Sequence, residues 1–335
     1  MKRKANVPIF VANAGCPHAC SFCDQRAISG SQRLPTPEDA RQILEDARKT
    51  LKHRETAAEI AFFGGSFTAI EPEYRRALLE VAAEFLGDGV FKGIRVSTRP
   101  DAIDQGALEE LRHSGVTAIE LGAQSMDDEV LKRSGRGHNS EHTTSAATLI
   151  REHGFSLGLQ MMTGLPGDTD EKALASAVKL TRLQPDTMRV YPTIVLQGSE
   201  LERQYKSGVY RPQTIEQATA LCAQLLRYFN GDGIRVIRLG LQQEAGMQTR
   251  IVAGSYHPAF RELVEGEILL GEAMSAIRAS KISPGPIKIL VSPGSQGKMI
   301  GQNRRNIKTL SSLGYLPRVY ADEGLQYLQA AVTKL

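Results

Sequence analysis

Apolar positions along the chain follow two periods. Short dense runs rich in β-branched and aromatic residues read "VPIFVAN", "EIAFFGG", "GIRVSTRP", "TAIELGAQS", "SLGLQMMTGLP" and "TMRVYPTIVL". Between them lie longer amphipathic stretches such as "PEDARQILEDARKTL", "EYRRALLEVAAEFL", "QGALEELRHSG" and "EHTTSAATLIREHG". The first kind predicts strands and the second helices, two of which stop at Gly115 and Gly154. Strands alternating with helices of this size build βαβ units on a parallel sheet. The expected fold is therefore α/β, either a doubly wound sheet or a partial (β/α)6 barrel of the TIM type. In both, ligands sit at the carboxyl ends of the strands. The polar and Gly-rich segments gather at those ends: a Cys-rich loop after the first run, then "GGSF", "STRPD", "GAQS" and "GLPGDT".

After about residue 245 the pattern changes. A loop leads into a long helical stretch, and "PGP" at 284–286 breaks it. Strand "IKILVS", helix "NRRNIKTLSSLG", strand "LPRVYA" and a final helix "EGLQYLQAAVTKL" are predicted beyond it. The organisation expected is a core over 1–245, a connector over 246–283 and a small α/β unit over 284–335.

Composition narrows the setting. The chain has 335 residues, 41% hydrophobic and 23% charged, which suits a globular protein with a substantial core. No apolar run approaches the ~20 residues of a membrane-spanning helix. The start "MKRKANVPIFVANAG" reads as a first strand and not a signal peptide, so a cytoplasmic location is expected, with no membrane partner. That compartment keeps thiols reduced, and clustered cysteines there point to metal or redox chemistry rather than disulfides. A net charge of +4 permits an RNA partner without requiring one, and with no Trp no base-stacking platform is evident.

The stretch "AGCPHACSFCDQ" holds Cys16, Cys20 and Cys23, three of the four cysteines, spaced C-x3-C-x2-C. Structural zinc normally takes four ligands, often as two separated pairs. Here zinc would need His18 to complete the triplet. The fourth cysteine, Cys222 in "ATALCAQLLRYF", reads as a core thiol. Three thiolates suit a 4Fe–4S cluster with one iron left open.

This spacing resembles that of the radical S-adenosylmethionine (SAM) enzymes. In that family the methionine part of SAM chelates the open iron, and one electron from the cluster cleaves the sulfonium to a 5′-deoxyadenosyl radical. Phe22, just before the last cysteine, also fits the family's pattern. The resemblance implies further cofactor contacts. Gly64 and Gly65 match a Gly-Gly motif whose backbone receives the methionine amino group, with Ser66 where an acidic residue is common. Ser97 lies where relatives place a polar residue near the cofactor's sugar. Gln124 resembles a ribose-binding Gln of the coproporphyrinogen-type branch, and Arg136 a basic residue near the methionine carboxylate. Gln160 takes a fifth-strand position that is often Asp or His in relatives. The run from "GCPHACSFC" through "FFGGSF", "STRPD", "ELGAQS", "RGH" and "GLPG" is similar to the radical SAM core of the Elongator catalytic subunit and its bacterial relatives, over about residues 7–245. That subunit carries an acetyltransferase domain for which this sequence has no room, so its reaction is not implied.

The tail "VSPGSQGKMIGQNRRNIKTL" resembles the KH module, in which a G-x-x-G loop between helices clamps a single-stranded backbone. Gly301 opens the loop and Arg304 replaces its last Gly. With Lys298, Arg305 and Lys308 it gives positive density suited to phosphates. His257 and Arg261, in "YHPAFRELVE", are candidates for the substrate end of the barrel.

The function expected is radical modification of a nucleotide in tRNA or rRNA, with flavodoxin or ferredoxin as electron donor. A small metabolite such as a tetrapyrrole is the alternative substrate. A non-enzymatic RNA-binding protein with a redox-sensing cluster is a third reading, but it leaves the strand-end motifs unexplained.

Overall fold

The amphipathic stretches and dense runs fold much as their periods dictate. A computed structural model describes residues 4–12, 14–17, 20–24, 33–52, 57–87, 89–241 and 247–335. His18 lies outside the described residues. The strands are β1 (Lys4–Phe10), β2 (Ala57–Phe63), β3 (Phe91–Thr98), β4 (Val116–Gln124), β5 (Ser156–Thr163), β6 (Thr187–Pro192), β7 (Ile194–Leu196), β8 (Arg235–Leu239), β9 (Ile251–Gly254), β10 (Gly285–Val291), β11 (Tyr315–Ala321) and β12 (Ala330–Lys334). The helices are α1 (Pro37–Leu51), α2 (Pro72–Glu84), α3 (Gln105–His113), α4 (Asp128–Arg133), α5 (Ser140–Glu152), α6 (Asp170–Arg182), α7 (Glu200–Lys206), α8 (Ile215–Gly231), α9 (Phe260–Ala279), α10 (Gln296–Ile300) and α11 (Arg305–Ser312).

One sheet carries seven parallel strands in the order β1-β2-β3-β4-β5-β6-β8. It curls into a half-barrel, and its end strands β1 and β8 do not pair. The six expected strands are all present. The seventh, β8, comes from "RVIRL", whose two arginines interrupt the apolar signal. The last predicted strand splits: its first half is β6, while β7 turns away to pair antiparallel with β9.

The strands alternate with period two. Val7 and Ile9, Ile60 and Phe62, Ile94 and Val96, and Met188 and Val190 belong to the hydrophobic core. Their neighbours Asn6, Pro8, Glu59, Phe63, Arg95, Ser97, Arg189 and Tyr191 line the concave face. Local chemistry sets the helices. Thr36 and Asp39 form a capping box before Pro37 at the start of α1, and Asp104, Thr169 and Thr214 cap α3, α6 and α8.

Helix α9 belongs to two cores. Phe260, Val264 and Ile268 join the barrel core. Leu269, Ala273 and Ile277 pack with Ile287, Ile289, Val291, Met299, Leu310 and Val332 of the tail. The tail is a three-stranded sheet ordered β11-β10-β12, with β10 parallel to β11 and antiparallel to β12. The predicted final helix is corrected here: its end is strand β12. Pairing with the central strand overrides local helix propensity, setting Val332 opposite Ile289 and burying it. Among the described residues no helix is long and apolar enough to cross a membrane.

Because α9 serves both cores, truncating its fully buried Leu269 should weaken their junction. Leu269→Ala is expected to cost about 2–5 kcal/mol. The check is a lower urea midpoint with an unchanged m-value.

Candidate functional site

A cavity of about 1300 Å³ occupies the half-barrel. That exceeds the roughly 300–1,000 Å³ of a typical small-molecule site, so there is space for more than one group. Cys16, Cys20, Cys23, Phe22, Gly64, Gly65, Ser97, Gln124, Arg136 and Gln160 all line it. Sequence-distant candidates thus meet at the carboxyl ends of the strands.

Backbone contact between two loops positions the cysteines. Ser66 N–H donates to Ala14 O at 2.8 Å. A Cβ on Gly65 would lie 2.4 Å from Ala14 O and 2.6 Å from Val11 O. One on Gly15, at φ +70°, would lie 2.4 Å from Ser66 O. Neither position admits a side chain, because the obstructing atoms are backbone. The far side of the loop is tied down as well. Ser21 N–H donates to Ser134 O and Leu201 N–H to Ser21 O, at 3.0 and 2.8 Å. Arg250 Nη2 reaches Asp24 Oδ2 at 3.0 Å. Phe22 packs beside Val195, Leu201 and Tyr210, so the β7–β9 ribbon and α7 brace the loop.

Cys16 is exposed, Cys23 half-buried and Cys20 buried. Although Cys16 reaches solvent, the protein atoms crowding its sulfur and the neighbouring Cys20 raise its pKa, against the opposing pull of Arg99 and Arg136. Among the described residues no three His, Cys, Asp or Glu side chains stand close enough to hold a single ion. The three thiols therefore share a cavity wall without meeting at a point.

Two buried guanidiniums face this wall. Arg136 Nη1 donates to Cys20 Sγ at 3.3 Å and Nη2 to Gly122 O at 2.6 Å. Arg99 forks onto Asp101 at 2.9 and 2.8 Å, and its Nη2 also reaches Arg136 O at 2.5 Å. Among the described residues Arg99 Nη1 and Arg136 Nε have no partner. Burial works against ionisation of Asp101, but the Arg99 fork more than offsets it, and its pKa is lowered. Behind them, burial and the Arg136 charge push His138 down to about 3, so it is neutral at ordinary pH. An unpartnered buried donor costs about 1–3 kcal/mol. These donors, with three thiols and a backbone cradle too tight for a Cβ, fit an anionic iron–sulfur cluster and a zwitterionic ligand.

Gln124 sits at the end of β4 with φ +65°, a left-handed conformation rare for a residue with a Cβ. Its Oε1 accepts from Gln160 Nε2 at 3.3 Å. Ser66 does not line the cavity. It is fully buried, with Oγ 3.0 Å from Thr98 Oγ1 and accepting from Arg99 N–H.

Deeper in the lumen lies a charged ladder that the sequence reading did not single out. Arg95 contacts Glu59 at 2.7 Å and Glu120 at 3.3 Å, and Arg189 contacts Glu120 at 2.7 Å. Arg189 also lies over the Phe63 ring at 5.0 Å. The available signal was a charged residue in the middle of each of four buried parallel strands, where apolar runs are the norm.

The remaining candidates separate. His257 does not line the cavity; its Nδ1 accepts from Ala259 N–H at the start of α9. Arg261 lines one end but is committed to Glu265 Oε1 and Val236 O, at 2.7 and 2.9 Å. In the tail, Gly301, Asn303 and Arg304 all take positive φ between α10 and α11. Arg304, Arg305 and Lys308 are exposed, whereas Lys298 pairs with Glu265 at 2.5 Å.

Two predictions follow from this geometry. Gly65→Ala is expected to dislodge the cysteine loop and at least halve the iron bound on anaerobic reconstitution. Gly231→Ala, where a Cβ meets nothing within 4 Å, should leave iron content intact. Burial lifts Asp168, beside "GLPG", from 3.8 to about 6, although its Oδ2 accepts from Gly164 N–H. A raised carboxyl pKa favours the folded state below the unfolded value, and that stability is lost as pH rises through the folded one. Asp168→Asn should therefore gain stability over the parent as pH rises from about 4 to 6, then hold that gain. Urea midpoints across pH 4–8 measure the difference.

Comparison with known proteins agrees with the site. The sequence profile of the Radical SAM superfamily matches residues 11–178, and that of the Radical_SAM C-terminal domain residues 185–269. The tRNA uridine(34) acetyltransferase of Dehalococcoides mccartyi is 27% identical over 257 residues, 65% of this chain and 55% of that protein. Elongator complex protein 3 of Homo sapiens is 27% identical over 198 residues, 53% of this chain and 36% of that one. The chain thus spans about half the length, or less, of these curated relatives. The archaeal Methanocaldococcus infernus Elp3 structure superposes with a TM-score of 0.61 at 21% identity, covering 84% of this chain and 64% of that one, which shows a shared fold. With half its length matched by the profile and its cysteines, glycines and arginines facing one half-barrel cavity, the chain belongs to the radical SAM superfamily, enzymes that use a 4Fe–4S cluster and S-adenosylmethionine.

Proposed function

We propose that this chain modifies a nucleotide in tRNA or rRNA by radical chemistry, in the cytoplasm, with a flavodoxin or ferredoxin supplying the electron. The observation that carries the reading is the convergence of Cys16, Cys20, Cys23, Gly64, Gly65, Gln124 and Arg136 on one open cavity. Its relatives' names, tRNA uridine(34) acetyltransferase and Elongator complex protein 3, support RNA over a tetrapyrrole.

When bound, the cluster and SAM would supply a 5′-deoxyadenosyl radical by one-electron cleavage of the sulfonium. The chain's own residues hold and orient. Cys16, Cys20 and Cys23 are the cluster ligands. The Gly64–Gly65 backbone takes the methionine amino group, while Gln124, braced by Gln160, and Ser97 take the ribose. The spare donors of Arg136 and Arg99 face anionic groups. Phe22 and the β7–β9 ribbon shield the cluster loop. Exposed Arg304, Arg305 and Lys308 grip RNA phosphates from a KH-like loop. Lys298 instead fixes that loop's first helix to Glu265, and Gly301 ends the helix.

Cluster assignment is tested by anaerobic reconstitution, expected to give about four irons that a Cys16, Cys20 and Cys23→Ala triple change abolishes. Substrate assignment is tested by nucleoside mass analysis of RNA from wild-type and deletion cells. A nucleoside missing in the deletion and restored by the wild type, but not by Cys23→Ala, supports the reading; an unchanged profile sinks it. The RNA grip is tested without truncation, because removing the tail would strip the apolar face of α9. Neutralising Arg304, Arg305 and Lys308 together should flatten the log–log salt dependence of RNA binding by about 2, at ~0.7 per lost single-strand contact.

A further inference from the structure

Arg99, just after β3, and Arg136, in the loop after α4, form a chain that ends on a cysteine sulfur. Asp101 receives the Arg99 fork, with Nε at 2.9 Å and Nη2 at 2.8 Å. Arg99 Nη2 also donates to Arg136 O at 2.5 Å. Arg136 Nη1 donates to Cys20 Sγ at 3.3 Å. Arg99 is 3% exposed and Arg136 7% exposed, so water screens neither charge well. His138 Nδ1 stands 4.0 Å from Asp101 Oδ1 and has no hydrogen-bond partner among the described residues. Asp101 therefore balances Arg99, while Arg136 keeps its full charge beside the sulfur.

We propose that Asp101, Arg99 and Arg136 together set the reduction potential of the cluster held by Cys16, Cys20 and Cys23. The inference rests on those cysteines holding the cluster and does not depend on the substrate. Potentials of such clusters respond to net charge, hydrogen bonds to sulfur and solvent exposure, and residues behind the ligands supply these influences. A one-electron donor of the flavodoxin or ferredoxin class must add negative charge to a site that already carries thiolates. A guanidinium on Cys20 Sγ favours the reduced form. Arg99 adds to that field and pins the Arg136 backbone, which makes it a positioning residue. Asp101 sits at the opposite end and opposes the reduction.

The three side chains therefore have opposed signs, which a purely structural role would not produce. The test is a dithionite titration of the reconstituted holoenzyme without SAM, followed by the electron paramagnetic resonance of the reduced cluster. Arg136→Gln is expected to lower the ratio of reduced to oxidised cluster about tenfold at fixed ambient potential, equivalent to about 59 mV for one electron. Arg99→Gln should shift the same way. Asp101→Asn should shift the opposite way and make the cluster easier to reduce. If Arg136→Gln fails to assemble a cluster, Arg136→Lys, with its charge kept but its fork lost, should give a smaller shift in the same direction. Shifts of one sign in all variants, or no shift in any, overturn the proposal. A parent protein that binds zinc and no iron would instead overturn the cluster assignment beneath it.

Discussion

The site depends on two loop backbones touching with no side chain between them. Gly15 and Gly65 let the cysteine loop lie directly on the turn after β2, and Ser66 N–H closes the contact on Ala14 O. With that contact in place, the cysteines share a wall with Gln124, at the end of β4, and Arg136, in the loop after α4, both far along the chain. Bracing from the other side by the β7–β9 ribbon, α7 and Ser134 means the loop is held by parts of the protein separated by more than a hundred residues. A short loop of this kind has few apolar contacts of its own, so its order comes from the scaffold.

The concave face answers a different constraint. A closed eight-stranded barrel fills its lumen with packed side chains. This sheet stays open, and its interior is partly polar. Glu59, Arg95, Glu120 and Arg189, on β2, β3, β4 and β6, alternate in sign, so each charge meets its opposite. An isolated buried charge would be costly, and removing one partner from such a network leaves the other exposed to that cost. The ladder makes part of the lumen wall polar, beside a cavity of about 1300 Å³.

Helix α9 joins these features to the tail. Its first turns face the barrel, where Arg261 reaches Val236 O. One turn on, Glu265 accepts from Arg261 and Tyr327 and pairs with Lys298. Asn306 Nδ2 donates to Gly266 O at 2.8 Å, fixing α11 to the same turn. A Cβ at Gly266 would lie 2.8 Å from Lys298 O, so α10 lies directly against α9. The basic loop is therefore carried on the helix that borders the cavity.

Much of this was legible in the linear chain. Period and length named six strands of the half-barrel, because each crossover unit is locally encoded by alternating strand and helix patterns. The C-x3-C-x2-C triplet and the strand-end motifs named the cavity lining, because their chemistry is unusual enough to stand out without a fold. The seventh strand was hidden by Arg235 and Arg238, and β12 by a helix-like composition that only pairing with β10 overrules. Lys298 looked like a free phosphate contact until the fold placed Glu265 against it. Arg99 and Asp101 stood in a quoted motif, yet nothing local shows that their fork leads to Arg136 and on to Cys20. The sequence alone determined which elements form and which residues carry the chemistry, since those follow from local periodicity and residue type. The tertiary structure alone decided which charges neutralise one another and which remain to act on the site, because that pairing depends on distances between residues that the chain keeps far apart.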